Sequence, residues 1–191
     1  MKNYRLKFFC DFQTVYHDNT EEMNSSDISF SDFISFCRDN NFEFYIISDR
    51  SEDFIGKILS GNNISVKSFA ALTKINPISG EEEIIYPYSD EYCRLCNNCL
   101  RNILITQTND LENEISVFIG EGISDQCVSG FADIVFAKGN LASYCWKNNI
   151  TYFEYNDFSD IKNKIIKLIA KRSLKHRNEA KTRRRDILMG G

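Results

Sequence analysis

Five short apolar runs, separated by segments of helical periodicity, constrain the fold more than any other feature of the sequence. The runs occupy residues 6–11, 42–47, 115–119, 133–137 and 151–155. Between them, apolar residues recur at helical spacing: Phe30, Phe33, Ile34 and Cys37, then Phe54, Ile55, Ile58 and Leu59, and finally Ile161, Ile165, Leu168 and Ile169. Ser29 with Asp32 three residues on marks the start of the first of these helices, which should end near Asn40 and Asn41. Ser51 is the expected cap of the second, and Gly61 its stop. A further helix should run from Cys93 to about Thr106, and shorter ones over 126–130 and 141–147. Strands that alternate with helices predict an α/β fold built on a parallel, doubly wound sheet. Residues 66–75 and 83–86 break the rule. They alternate in polarity around the turn residues Asn76-Pro77-Ile78-Ser79-Gly80, which predicts a small antiparallel hairpin outside the parallel sheet.

A chain of 191 residues fits one domain, or one domain with a small appendage. The expected division is a core over residues 1–160, with a C-terminal helix and basic tail over 161–191. No apolar run approaches the length of a membrane span. The first seven residues lead straight into the first strand rather than reading as a signal peptide. Seven cysteines are an odd number without the density of a disulfide scaffold, so a reducing cytoplasm is the expected setting. Charge is uneven. From Ile161 onward there are 11 Lys/Arg and 2 Asp/Glu, whereas the first 160 residues hold 12 basic and 25 acidic residues. The basic arm lacks interleaved aromatics, which argues against a nucleic-acid groove. It suits an acidic protein surface, a sister subunit included, or simply a solvated helix with a frayed tail.

Polar groups follow three of the apolar runs. The first run ends in Asp11, the second in Ser48 and Asp49, and the third leads into Gly120-Glu121-Gly122-Ile123-Ser124-Asp125. In open α/β sheets ligands collect at the carboxyl ends of the strands, so these side chains should converge. Taken alone, Asp11 reads first as a turn residue after a core strand. Taken together, carboxylates from separate strand tips suit a hard cation such as Mg²⁺. A hydroxyl beside them suits a phosphate oxygen, and an aspartate in that setting can attack phosphorus.

These motifs resemble those of the haloacid dehalogenase-like (HAD) superfamily, in the branch of phosphoserine phosphatase and the methionine-salvage 2-hydroxy-3-keto-5-methylthiopentenyl-1-phosphate phosphatases. Asp11-Phe12-Gln13-Thr14-Val15 stands where that family has aspartate, any residue, aspartate, any residue, Thr or Val. Ser48 matches the second motif, and Gly120 to Asp125 the fourth. Residues 132–138, 152–161 and the cluster Cys93 to Cys99 are also similar to the branch. The resemblance implies a HAD-like Rossmannoid sheet with helices on both faces. It also implies an Asp11 nucleophile, a phosphate held at Ser48 and Asp49, and Mg²⁺ on Asp11, Glu121 and Asp125.

Three positions depart from the pattern. The family's general acid/base is Gln13 here, and an amide cannot shuttle a proton at neutral pH. The usual motif-three lysine is Leu100, and Arg101 points about 100° away from it on a helix. The usual metal aspartate is Glu121. Only 37 residues separate Asp11 from Ser48, too few for the branch's helical cap. A cap reduced to about residues 17–41 is expected, with the hairpin insert over about 64–88. An open mouth suggests a large or protein-bound phosphorylated substrate. The expected function is a Mg²⁺-dependent phosphatase or phosphotransferase, weak or specialised. The alternative is an impaired family member that binds a phosphorylated ligand, a protein partner or a second copy of itself.

Three further features are weaker. Cys93, Cys96 and Cys99 could hold a metal, but no fourth ligand is evident, and helical spacing spreads the thiols over more than one face. His17 and His176 read as surface residues. Trp146 reads as core or interface.

Overall fold

A computed structural model describes residues 4–17, 22–23 and 28–190. Strand β1 (Arg5–Asp11) is followed by a single 3-10 turn, Phe12–Thr14, and by the short antiparallel pair β2 (Tyr16–His17) and β3 (Glu22–Met23). Next come α1 (Ile28–Asp39), β4 (Glu43–Ser51), α2 (Glu52–Gly61), β5 (Lys67–Ile75) and β6 (Glu82–Ile85). The second half holds α3 (Leu100–Gln107), β7 (Glu114–Gly120), α4 (Gln126–Ser129), β8 (Ile134–Ala137), α5 (Gly139–Lys147), α6 (Phe158–Ala170) and α7 (Asn178–Leu188).

Six strands form one sheet in the order β6-β5-β4-β1-β7-β8, parallel throughout except for β6. β1 is central, and Leu6, Phe8, Phe9 and Cys10 have no exposed surface. A strand buried on both faces reads as a continuous apolar run rather than an alternation. Side chains of even number in β1 pack against α1, α2 and α6, with Phe8 edge-on to Phe33 at 5.1 Å between ring centroids. Phe9 on the other face joins the cluster formed by α3, α4 and α5. The result is a three-layer sandwich in which helices cover both faces of a mostly parallel sheet.

Several expectations need correction. The hairpin does not lie outside the sheet: β5 pairs in parallel with β4, and β6 then pairs antiparallel with β5 as an edge strand. Residues 151–155 do not form a fifth full strand; only Phe153 bridges Phe136. The helix expected from Cys93 begins at Leu100, and the cysteines lie on the preceding loop. Gly61 is the last residue of α2 rather than its stop. The left-handed position there is Asn63 (φ 57°), as Asn41 and Asn149 serve after α1 and α5. Ser29 lies inside α1, and its hydroxyl accepts from the backbone N–H of Phe158 at the start of α6. Ser51 does cap α2, accepting from Phe54 N. Trp146, expected in the core or at an interface, is largely exposed on α5, which removes only the first of those places.

The segment expected to hold a reduced cap, 17–41, lies partly outside the described residues. Its described helix, α1, packs Phe30 and Phe33 against Phe158 of α6 and so covers the sheet. The basic arm is not a solvated tail either. Helix α7 folds back, and Arg184, 1% exposed, reaches Asp110, Asp133, the hydroxyl of Ser116 and the carbonyl of Phe131. His176, expected at the surface, is half-buried beside the same carboxylates, 3.5 Å from Asp133. Asp110, Asp133 and His176 lie close enough together to suggest a cation site, but the Arg184 guanidinium already supplies the charge. Burial raises the Asp133 pKa, and His176 and Arg184 more than offset that, leaving it below its ordinary value. This clamp sits at the amino-terminal ends of β7 and β8, opposite the end where Asp11 emerges.

Candidate active site

Parallel pairing places the chemistry. Asp11 is the last residue of β1, level with Ile47 of β4, while Cys10 is level with Ile119 of β7. Ser48 therefore emerges on one side of Asp11 and Gly120 on the other. Between Ile47 and Ser51 the pairing of β4 with β5 shifts register. Such irregularities re-aim side chains at strand ends, and Ser48 sits at this one, buried, with its hydroxyl accepting from Arg50 N at 3.0 Å.

The loop after β7 folds around Asp125. Its Oδ2 accepts from the backbone N–H groups of Glu121 and Gly122, both at 2.8 Å. Gly120 must lack a side chain, because a Cβ there would lie 2.3 Å from that oxygen. The other oxygen, Asp125 Oδ1, has no hydrogen-bond partner and neither does Asp11 Oδ2, although both atoms are buried. Burial pushes the Asp11 carboxyl well above its ordinary value. The nearby charge of Asp125 adds to the rise, and a hydrogen bond from the Gln13 backbone N–H opposes it. Burial likewise raises Asp125, to about 6, despite the two amides that donate to it. Two buried carboxylates with orphaned oxygens are costly unless something positive lies between them. Carboxylate oxygens are the donors a hard divalent cation such as Mg²⁺ takes, although among the described residues Asp11, Glu121 and Asp125 do not bring their ligand atoms within 4.8 Å of one another.

Glu121 sits at the rim, and its carboxylate is engaged by Lys138 Nζ at 3.1 Å. Lys138 directly follows β8, and its backbone N–H donates to Gly120 O at 3.3 Å. Sequence reasoning did not single out this lysine, although the rule that found Asp11 and Ser48, a polar residue just past a strand's carboxyl end, also applies to it. Gln13 is exposed and faces the mouth near Gly122. Asp49 needs correction as a phosphate group. Its carboxylate accepts from the backbone N–H groups of Asn97 and Asn98 at 3.0 and 2.8 Å. It fastens the cysteine loop, and a carboxylate so placed would repel a phosphate. Leu100 is buried in the core beneath α3, and Arg101 pairs with Asp90. Neither delivers a cation to Asp11. His17 lies where side chains are not described.

No family model matches the chain. Among curated proteins it is 30% identical over 143 residues to 2-hydroxy-3-keto-5-methylthiopentenyl-1-phosphate phosphatase of Bacillus cereus, a match covering 73% of this chain and 63% of the relative. The Bacillus thuringiensis protein of that name is 29% identical over the same length and with the same coverage. The chain thus spans 63% of the length of these relatives. A solved HAD family hydrolase from Salmonella enterica serovar Typhi superposes with a TM-score of 0.46 at 11% identity, covering 81% of this chain and 69% of that one. No described helix is long and apolar enough to cross a membrane.

Proposed function

Because the chain belongs to the haloacid dehalogenase-like superfamily, we propose that it acts on a phosphomonoester through Asp11, with Mg²⁺ held by Asp11, Asp125 and the rim residue Glu121. The observation that carries this reading is the pair of orphaned buried oxygens, Asp11 Oδ2 and Asp125 Oδ1. A bound Mg²⁺ would neutralise those carboxylates and polarise the phosphoryl group. The protein groups divide the remaining work. The Asp11 carboxylate is the nucleophile. Ser48 donates its hydroxyl to a phosphoryl oxygen while accepting from Arg50 N. Lys138 supplies at the rim the positive charge that Leu100 cannot. Gln13 orients the leaving group or a water by hydrogen bonding, but protonates neither.

The substrate class is a phosphorylated small molecule, such as the phosphate ester in the names of the relatives, or a protein-bound phosphate. The polar, exposed side chain of Gln13 at the mouth favours a substrate whose bulk stays outside. The place of action is a reducing cytoplasm. A second reading has its own support: with an amide at position 13 and the motif-three position buried in the core, the same pocket would hold a phosphorylated ligand or a partner protein without turnover.

A panel of small phosphate esters and phosphopeptides, assayed with Mg²⁺ beside Asp11→Asn, separates the two. Metal-dependent phosphate release that vanishes in Asp11→Asn is the expected result. Binding of phosphorylated ligands without release in either protein would replace the enzyme reading by the second.

A further inference from the structure

The loop between β6 and α3 covers residues 86–99 without a strand or helix. Loops of this length inside compact domains usually carry a function or a staple. Much of this one is poorly buried, with Tyr92 and Leu95 exposed. It nevertheless has a defined course. Asp90 Oδ1 accepts from Tyr92 N and Cys93 N, both at 3.0 Å. Asn98 donates its side-chain amide to Ser48 O at 3.1 Å and accepts from Tyr88 N at 3.1 Å.

The course brings Cys93, Cys96 and Cys99 to one point, where they meet Cys127 of α4. All four sulfur atoms lie within 4.8 Å of one another. Cys96 Sγ is 3.5 Å from both Cys93 Sγ and Cys127 Sγ. A tetrahedral zinc ion bound at about 2.3 Å to each sulfur needs sulfurs about 3.8 Å apart. Two of the separations are thus within a few tenths of an ångström of zinc spacing, and none exceeds it by more than about an ångström. A four-iron cluster would need the sulfurs spread around a cube of iron and sulfide, and this group is too tight. Backbone N–H groups at the start of α3 complete the surroundings, that of Leu100 directed at Cys96 and that of Asn102 at Cys99. Such donors orient and stabilise thiolate ligands. Four unmetallated thiols would be poor partners for one another, since S–H is a weak donor and sulfur a weak acceptor.

We propose that Cys93, Cys96, Cys99 and Cys127 form a closed, structural Zn²⁺ site. Its position gives it a purpose. Three ligands come from the loop whose amides hold Asp49 and whose Asn98 holds the Ser48 carbonyl. The fourth is two residues after Asp125. The ion therefore ties the two rims of the candidate active site together, from a place where four protein ligands leave no open position for substrate. It is independent of the reading of Asp11 as a nucleophile.

The test is metal content of the full chain, purified without a histidine tag and without added metal. About one zinc per chain is expected, with X-ray absorption showing four sulfur ligands at about 2.3 Å. Cys127→Ser should retain at least ~tenfold less zinc, while Cys37→Ala, on α1, should retain it all. Should Cys127→Ser fail to fold, chelation of the wild type serves instead. Stripping the ion should raise amide exchange in residues 86–99 and in α4, and leave α1 and α6 unchanged. The proposal is overturned by a metal-free protein with four titratable thiols, by a disulfide among the four, by the absorption signature of iron, or by zinc that survives Cys127→Ser.

Discussion

Replacing Asp125 by Asn should stabilise the metal-free protein, against the usual direction for a site residue. The two oxygens of Asp125 differ: Oδ2 accepts from two backbone N–H groups, whereas Oδ1 is buried without a partner. Burial raises the carboxyl from 3.8 to about 6. An acid whose folded-state pKa lies above its unfolded value destabilises the fold when ionised. At about 1.4 kcal/mol per pH unit, the gap amounts to about 3 kcal/mol above pH 6. Asn keeps an oxygen for the two amides and removes the charge. In EDTA at pH 7.5, urea unfolding should therefore show Asp125→Asn more stable by about 3 kcal/mol. As pH falls through 6 the native carboxyl takes up its proton, so the advantage should shrink and disappear near pH 4. Saturating Mg²⁺ should stabilise the wild type and leave the variant unmoved, closing the gap from the other side. Destabilisation at pH 7.5 in EDTA, or a difference that ignores pH, would refute the account of Asp125 as a costly ion awaiting a cation.

Gln13→Asp should leave stability within about 0.5 kcal/mol, because the side chain is exposed. By returning a proton carrier to the mouth it should raise kcat on any cleaved ester by ~10² to 10⁴; steady-state kinetics beside Asp11→Asn would expose a flat response. Arg184→Ala should lower unfolding free energy by about 3–5 kcal/mol, since Asp133 is left buried without its main cation. Urea titrations should show that loss at neutral pH and a smaller one as pH falls through the depressed Asp133 value, where the carboxylate is neutralised anyway.

What the sequence made legible follows from how local each signal is. The runs at 6–11, 42–47 and 115–119 announced themselves because both faces of a central strand are buried, and polar residues at their ends marked the site. Ser51 was readable as a cap because its partner, Phe54 N, is three residues away. Cys127 was not, because it lies 31 residues from Cys96 and meets it only when α4 packs on α3. Arg184 was hidden for the same reason. A run of arginines reads as solvated, and only the fold brings Asp110, Ser116 and Asp133 around one of them. The resemblance placed Asp49 with Ser48 at the phosphate, whereas its carboxylate turns toward Asn97 and Asn98, 48 and 49 residues along the chain.

The two departures at positions 13 and 100 differ in kind, and that difference bears on the chemistry. Gln13 is at the surface of the mouth, and nothing in its surroundings requires an amide there. Leu100 is 2% exposed and packs with Phe9, Ile103 and Leu104 beneath the sheet. A lysine in its place would carry an ammonium into that cluster, where a charge without a partner is strongly disfavoured. The fold around α3 has thus closed over the position that supplies positive charge in the resembled family. On the proposed reading, Lys138, already paired with Glu121 at the rim, would take over that task. A site built around Lys138 in this way would still bind a phosphoryl group, and the rate at which it released one would depend on position 13.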